Sequence, residues 1–279
     1  MADDATERAI SAHYTTANLT EAIAAALRAA GKDLDTLAPD DLIPLDQFHS
    51  FGLASTAELA RRAAIAAGEH VLDVGGGIGG PARFLASHHD CRVTVLDLTP
   101  AFVAAGEALT AWTRLSDRVS FVCASALETP FPAASFDLAW VQNSAMNIAD
   151  KPRFYGEIAR VVRSGGRLAF FGVTAGPSGP PHFPAPWASE PAYSFLLPPE
   201  EVRQTILASG FRERSWQAGP ELVARLESLV RELPPALVPR SGLATTLLMG
   251  ADAEAKIANS ARNTREGRTT PAMGVFERV

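Results

Sequence analysis

The chain has 279 residues, 47% of them hydrophobic and 20% charged, a size that suits one α/β core with an added lid or cap and needs no staples. Its formal net charge of −6 and its lack of a Lys/Arg run argue against a nucleic-acid partner. The acidic start Met1-Ala2-Asp3-Asp4 lacks a signal-peptide core and no run of about 18 apolar residues could span a bilayer, so a cytoplasmic setting without a membrane partner is expected.

In residues 1–30, Leu19, Ile23 and Leu27 recur at helical spacing among alanines, and Gly31 can end the helix. Residues 32–54 hold Pro39, Pro44 and Gly52 and read as irregular, so 1–54 is expected to form a helical N-terminal lid. Ser55 and Glu58 have capping-box spacing before a helix Thr56–Ala67, closed by Gly68. Strands and helices then alternate. The strands are His70–Val74, Cys91–Leu96, Val119–Cys123, Phe136–Val141 and Leu168–Val173. One helix begins at Pro81, another is capped by Thr99 with Pro100 first, and a third spans Pro152–Val162. This alternation predicts an α/β fold with a doubly wound, mostly parallel sheet. Cys91 and Cys123 lie in apolar runs and read as buried small side chains, not as a disulfide or metal site. A helix Pro199–Ser209 and a strand Phe211–Gln217 complete a core over 55–219. Residues 220–279 are expected to give helices, broken at Pro234, Pro235 and Pro239, and a final edge strand over 271–278. Residues 176–265 are expected to add a partial cap.

The run Val71-Leu72-Asp73-Val74-Gly75-Gly76-Gly77-Ile78-Gly79-Gly80 sets a glycine loop between a strand and a helix. Glycines let the backbone turn sharply and approach a ligand, and the helix after them presents N–H groups to its polar parts. The ligand is expected at the carboxyl ends of the strands, at the topological switch point. Asp97 ends the second strand about 20 residues later, where a carboxylate accepts hydrogen bonds from ribose hydroxyls. A nucleoside is therefore expected. Gly75, Gly77 and Gly80 also satisfy the dinucleotide pattern, which makes an NAD(P)-dependent oxidoreductase the rival. Asp73 weighs against that rival, because its charge would repel a pyrophosphate and suits an ammonium and a sulfonium. No metal-ligand spacing, nucleophile elbow or phosphate-binding Lys-Ser/Thr pair is present to support a hydrolase or kinase.

From Asp46 to about Phe211 the chain resembles the class I S-adenosylmethionine-dependent methyltransferases. The resemblance rests on Asp73–Gly80, on Asp97, on Pro130-Phe131-Pro132 through Ser135-Phe136-Asp137, and on Arg163-Ser164-Gly165-Gly166-Arg167-Leu168. It is strongest to the small-molecule N-, O- and C-methyltransferases, including the sarcosine/dimethylglycine and natural-product enzymes. It implies a Rossmann-like, seven-stranded sheet, S-adenosylmethionine as methyl donor, S-adenosylhomocysteine as product, and no metal. It further implies that Gly75, Gly77 and Gly79 line the methionine part, that Asp73 holds the loop and the ammonium, and that Asp97 binds the ribose. Leu98 would pack on the adenine, Ser125 and Ala126 would fall at its edge, and Gln142 would lie beside the transferred methyl. Many relatives have Asp where this chain has Ser125.

Methyl transfer is an in-line displacement in which positioning supplies much of the barrier reduction, and a hydroxyl or carbon acid, unlike a neutral amine, usually needs a base. Asp46-Gln47-Phe48-His49 resembles a segment that closes over the cofactor, and His49 is the general-base candidate, with helix capping or packing as its alternative. Tyr14 can reach the methyl or sit in the core. Asn143 and Asn147 flank Ala145-Met146 and can orient an acceptor or shape a turn; several relatives have His at the position of Asn147. His182, Trp187 and Tyr193 can enclose a cationic amine or pack a proline-rich loop. The expected function is methyl transfer from S-adenosylmethionine to N, O or C of a small molecule, with a non-catalytic S-adenosylmethionine-binding protein as a third reading and room for a homodimer.

Overall fold

The computed structural model describes residues 7, 18–47, 49–237 and 244–279. Its centre is a seven-stranded sheet in the order β3-β2-β1-β4-β5-β7-β6. The strands are β1 (His70–Val74), β2 (Arg92–Asp97), β3 (Val119–Cys123), β4 (Phe136–Gln142), β5 (Val162–Ala175), β6 (Phe211–Ala218) and β7 (Thr269–Arg278). The first five are parallel, and β7 runs antiparallel to both β5 and β6. The Rossmann-like α/β expectation is met.

Sheet and helices fit because β1, β4 and β5 are apolar on both faces, as strands buried between helix layers must be. Alternate residues of β1 serve opposite layers. Leu72 and Val74 join Phe154, Tyr155 and Ile158 of α5 (Lys151–Val161) and Val202 and Ile206 of α6 (Pro199–Ala208). Val71 joins Leu59 and Ala63 of α2 (Gly52–Ala63), Leu85 of α3 (Gly80–His89), and Leu222 and Leu226 of α7 (Pro220–Glu232). A third cluster docks Leu19, Ile23 and Leu27 of α1 (Leu19–Ala29) on Phe102, Ala105 and Leu109 of α4 (Pro100–Trp112). Two further helices, α8 (Ala244–Met249) and α9 (Ala253–Arg265), precede β7.

Several expectations need correction. The strand over 271–278 is not at the edge: β7 lies between β5 and β6, and β6 is the edge strand. The run from Ala272 to Phe276 is buried throughout, as an interior strand requires. The capping box at Ser55 and Glu58 does not form, because α2 starts at Gly52 and ends at Ala63, where Ala64 turns left-handed. Ser55 donates to the carbonyls of Ser50 (2.8 Å) and Gly52 (2.9 Å), while Glu58 pairs with Arg61 and Arg62. Thr99 stands at the N-cap of α4, but its side chain makes no capping bond. Cys91 is buried as expected, whereas Cys123, at the end of the other edge strand, is exposed.

The segment before α2 is tied to the core by an ion pair. Arg83 Nη2 on α3 donates to Asp46 Oδ2 at 2.8 Å, and the two side chains are only 1% and 2% exposed. Arg83 Nη1 also donates to Thr110 on α4 at 3.1 Å. Breaking a buried pair from one side leaves an uncompensated charge. Arg83→Met should therefore lower unfolding free energy by about 3–5 kcal/mol in urea titrations, and adding Asp46→Leu should recover most of the loss. A double variant no more stable than the single one would show that the unpaired carboxylate is not the cause.

Candidate active site

The loop after β1 is shaped by steric need. A Cβ on Gly75 (φ +71°) would lie 2.4 Å from Ser144 Cβ, and one on Gly76 would lie 2.5 Å from Asp73 Oδ2. Several of its amides are used within the protein: those of Gly75 and Gly76 donate to the Leu96 carbonyl (2.7 and 3.4 Å), and that of Gly79 to the Gly76 carbonyl (2.9 Å). The Gly77 N–H donates to Asp97 Oδ2 at 2.8 Å, and the Thr99 N–H to Asp97 Oδ1 at 2.8 Å. Asp97 is thus a buried carboxylate held by backbone donors. Asp73 is buried beside it with Oδ2 lacking any hydrogen-bond partner. Burial, followed by the charge of Asp97, pushes its carboxyl up to about 8.

Across the switch point, Gln142 ends β4. Its Oε1 accepts from Trp140 Nε1 at 2.9 Å, and its Nε2 donates to Thr56 Oγ1 (3.1 Å) and Ser55 Oγ (3.3 Å). His49 joins this network: Nδ1 is 3.4 Å from Gln142 Nε2, and Nε2 is 3.2 Å from both Gln47 Oε1 and Thr56 Oγ1. Burial pushes the His49 imidazole down to about 4, so it is neutral at physiological pH. Asn143 follows with φ +51°, and neither of its amide atoms has a hydrogen-bond partner.

Asp73, Asp97, Gln142, His49 and Asn143 border one cavity of about 1490 Å³ at the carboxyl ends of the strands. That exceeds the roughly 300–1,000 Å³ usual for a small-molecule site. Of the sequence candidates, Asp73, Gly75, Gly77, Asp97, Leu98, Ala126, Gln142, His49, Asn143, Asn147 and Trp187 line it. Asn147 fastens the wall, donating from Nδ2 to the carbonyls of Trp187 (2.7 Å) and Tyr193 (3.0 Å).

The other candidates are placed differently. Gly79 faces inward: a Cβ there would lie 2.6 Å from the Phe121 ring. Ser125 is not in the wall; its hydroxyl donates to the carboxylate of Glu7, which does line the cavity, and accepts from the Leu127 N–H at 3.1 Å. His182 is drawn to α9, its Nε2 lying 2.8 Å from Glu266 Oε2 and its N–H donating to Asn263 Oδ1 at 2.7 Å. Tyr193 packs against the cluster of Met146, Ala185 and Trp187 and does not line the cavity. Tyr14 lies outside the described residues.

The sequence reading missed Lys151, whose buried Nζ donates to the carbonyls of Ala145 (2.7 Å), Phe195 (2.9 Å) and Ile148. It draws the loop after β4 and the segment after β5 together, and burial pushes it down to about 8. Nothing local distinguishes this lysine from an ordinary first-turn residue. Ser55, Thr56 and the cavity faces of α7 and α9 were also missed. Among the described residues no group of three His, Cys, Asp or Glu could hold a metal, and no helix is long and apolar enough to cross a membrane.

Residues 72–170, from β1 into β5, match the family described as "Methyltransferase domain". This stretch is thus similar to a methyltransferase domain. Over 98 residues the chain is 44% identical to a probable chloroplastic tocopherol O-methyltransferase from Oryza sativa subsp. japonica, covering 35% of this chain and 27% of that protein. Over 162 residues it is 32% identical to the O-methyltransferase resE from Aspergillus sclerotiorum, covering 56% of this chain and 60% of that protein. The chain thus matches between about a quarter and three fifths of these relatives' length. Its fold is shared with the [4+2]-cyclase SpnF (TM-score 0.62, 21% identity, 80% of this chain and 79% of that one). It is shared equally with a geranyl diphosphate C-methyltransferase from Streptomyces coelicolor A3(2) (TM-score 0.62, 18% identity, 81% and 79%). At such identities the solved structures speak for the fold alone.

The raised carboxyl of Asp73 has a consequence for stability. A carboxyl near 8 in the folded protein and about 3.9 in the unfolded chain stabilises the fold below the lower value and loses that contribution as pH rises through the higher one. Ligand-free protein should lose melting temperature between about pH 5 and 8, and Asp73→Asn should flatten the slope. Parallel pH curves for the two proteins would contradict the placement of Asp73 as a buried, uncompensated acid.

Proposed function

We propose that the chain transfers a methyl group from S-adenosylmethionine to an N, O or C atom of a small molecule bound in the same cavity. The observation that carries this reading is the buried Asp73 carboxyl, partnerless at Oδ2, beside a loop in which the amides of Gly75, Gly76, Gly77 and Gly79 already donate within the protein. Such a site fits the ammonium and sulfonium of S-adenosylmethionine. It does not fit a pyrophosphate, which needs outward N–H groups or cations. The dinucleotide reading is weakened further because Glu7, Asp46, Asp73 and Asp97 border this half of the cavity.

When bound, S-adenosylmethionine supplies an electrophilic methyl on a cationic sulfur. Asp97 is in place to accept from the ribose hydroxyls while two backbone amides hold its carboxylate, and Leu98 and Ala126 offer apolar contact to the base. Gly75 and Gly77 allow close approach of the backbone to the methionine part, and Asp73 balances its charge. Gln142 and Asn143 border the space between this half and the rest of the cavity, where oriented amides can position an acceptor. The acceptor lone pair forms the new bond to the methyl carbon, and the carbon–sulfur pair returns to sulfur. A hydroxyl acceptor gives its proton to His49, which burial keeps neutral but makes a weak base, so the proton moves as the new bond to the methyl makes the hydroxyl strongly acidic. Trp187 and Asn147 complete the acceptor wall. A cytoplasmic location is part of the same proposal.

The test is a mass-spectrometric assay of methyl transfer to a panel of phenols, alcohols, amines and carbon acids. The expected result is a product one methyl heavier together with S-adenosylhomocysteine. Asp97→Ala should raise KM for S-adenosylmethionine. For hydroxyl acceptors His49→Ala should lower kcat by about 10²–10⁴ with little change in that KM. Because His49 titrates near 4, it should impose no limb on the rate between about pH 6 and 8, and activity should fall only as pH approaches its value. Absence of turnover across the panel, with the donor bound, would favour a binding protein over a methyltransferase.

A further inference from the structure

The cavity extends well beyond the part needed for a nucleoside. From β1 through β4 and β5 to β7 is three strand spacings, about 14 Å, and the wall continues past the ends of β5 and β7 onto α7 and α9. From α7 it takes Pro220, Val223, Ala224 and Glu227. From α9 it takes Ile257, Ser260, Ala261, Thr264 and Arg265. Both sets recur at three- and four-residue steps, so each helix turns one stripe to the cavity. Folding uses other stripes: Leu222 and Leu226 of α7 enter the core, and Ala253, Lys256 and Asn263 are the buried residues of α9. Ile257 is 42% exposed, a large apolar side chain left on the cavity stripe of α9. Val173, Trp187, Pro198 and Met249 add further apolar wall.

Charge narrows what this lobe can accept. Among the described lining residues Glu7, Asp46, Asp73, Asp97 and Glu227 are acidic, and Arg265 is the one cation. Amino-acid carboxylates and phosphates are held by Arg or Lys, best with a bidentate guanidinium in a desolvated site. Arg265 is exposed in the last turn of α9, where solvent and salt screen it. Even with Asp46 paired to Arg83 and Asp73 protonated below about pH 8, the wall offers an anion no desolvated cation. The amide of Asn143, without a protein partner, supplies a polar anchor next to the reacting end.

We infer that the second lobe takes a bulky, mostly apolar acceptor without an anionic group, its polar end at Asn143 and Gln142 and its apolar body against the stripes of α7 and α9. This rests on the methyl-transfer reading of the same cavity and adds the class of acceptor, setting aside amino acids and phosphorylated compounds.

The test is a fluorescence titration with N-phenyl-1-naphthylamine, a neutral apolar probe, in saturating S-adenosylhomocysteine whose own affinity is measured by calorimetry. The probe should bind saturably beside S-adenosylhomocysteine. Ala224→Asp and Ile257→Asp change exposed positions and should leave folding intact. Each should weaken the probe by about tenfold or more, because a charge opposes apolar burial, while S-adenosylhomocysteine affinity stays within about twofold. Millimolar sarcosine or pyrophosphate should not displace the probe. Failure of the probe to bind, its displacement by S-adenosylhomocysteine, or competition by sarcosine or pyrophosphate would each overturn the inference. Failure of S-adenosylhomocysteine itself to bind would instead remove the methyl-transfer reading beneath it.

Discussion

Asp73 and Asp97 lie near the carboxyl ends of neighbouring parallel strands, 1% and 8% exposed, so two carboxyls share a space with little water and Asp73 holds its proton up to about pH 8. The arrangement compensates only one of them. Asp97 receives the Gly77 and Thr99 amides, and Asp73 Oδ2 receives nothing. Residue 76 must be glycine, because any Cβ would strike the Asp73 carboxyl. The glycine loop is thus shaped by the acids as much as by a ligand. A group left uncompensated at the end of a rigid strand is a standing demand for positive charge, and it faces the cavity. Binding a cation there relieves a cost that the fold alone carries.

The N-terminal segment is part of this site rather than a cover laid over it. The Asp46–Arg83 pair fixes the segment to α3, the helix that begins at the glycine loop. Three residues on, His49 enters the hydrogen-bond network of Gln142 at the end of β4. Both walls of the nucleoside half are thereby linked through residues 46–56. The other half, proposed for the acceptor, is built differently, from α7 and α9 and the ends of β5 and β7, where Val223, Ala224, Ile257 and Ala261 stand among Glu227, Ser260, Thr264 and Arg265. Division of labour follows: polar, tightly bonded groups for the donor, apolar helix stripes for the acceptor.

Much of this was legible in the sequence. Parallel strands buried on both faces read as continuous apolar runs, and the glycine loop with Asp97 marked the binding end of the sheet. What failed depended on contacts distant in sequence. The position of β7 between β5 and β6 is a matter of long-range pairing, and nothing within 271–278 announces it. Ser55 and Glu58 have cap spacing, yet the helix began a turn earlier because the chain already turns at Phe51. Ser125 was read as a site residue from the family resemblance, and His182 and Tyr193 from composition near the site. Their side chains are instead held by Glu7, Glu266 and a local apolar cluster, partners that no spacing rule names.

The paired acids, with a loop whose amides are bonded within the protein, should select a cationic nucleoside over a dinucleotide. Calorimetric titration of the purified protein with S-adenosylmethionine, S-adenosylhomocysteine and NAD tests it most directly. The account predicts saturable binding of the first two at one site per chain and none of NAD. Binding of NAD alone would contradict it and would mean that the loop reads a pyrophosphate after all.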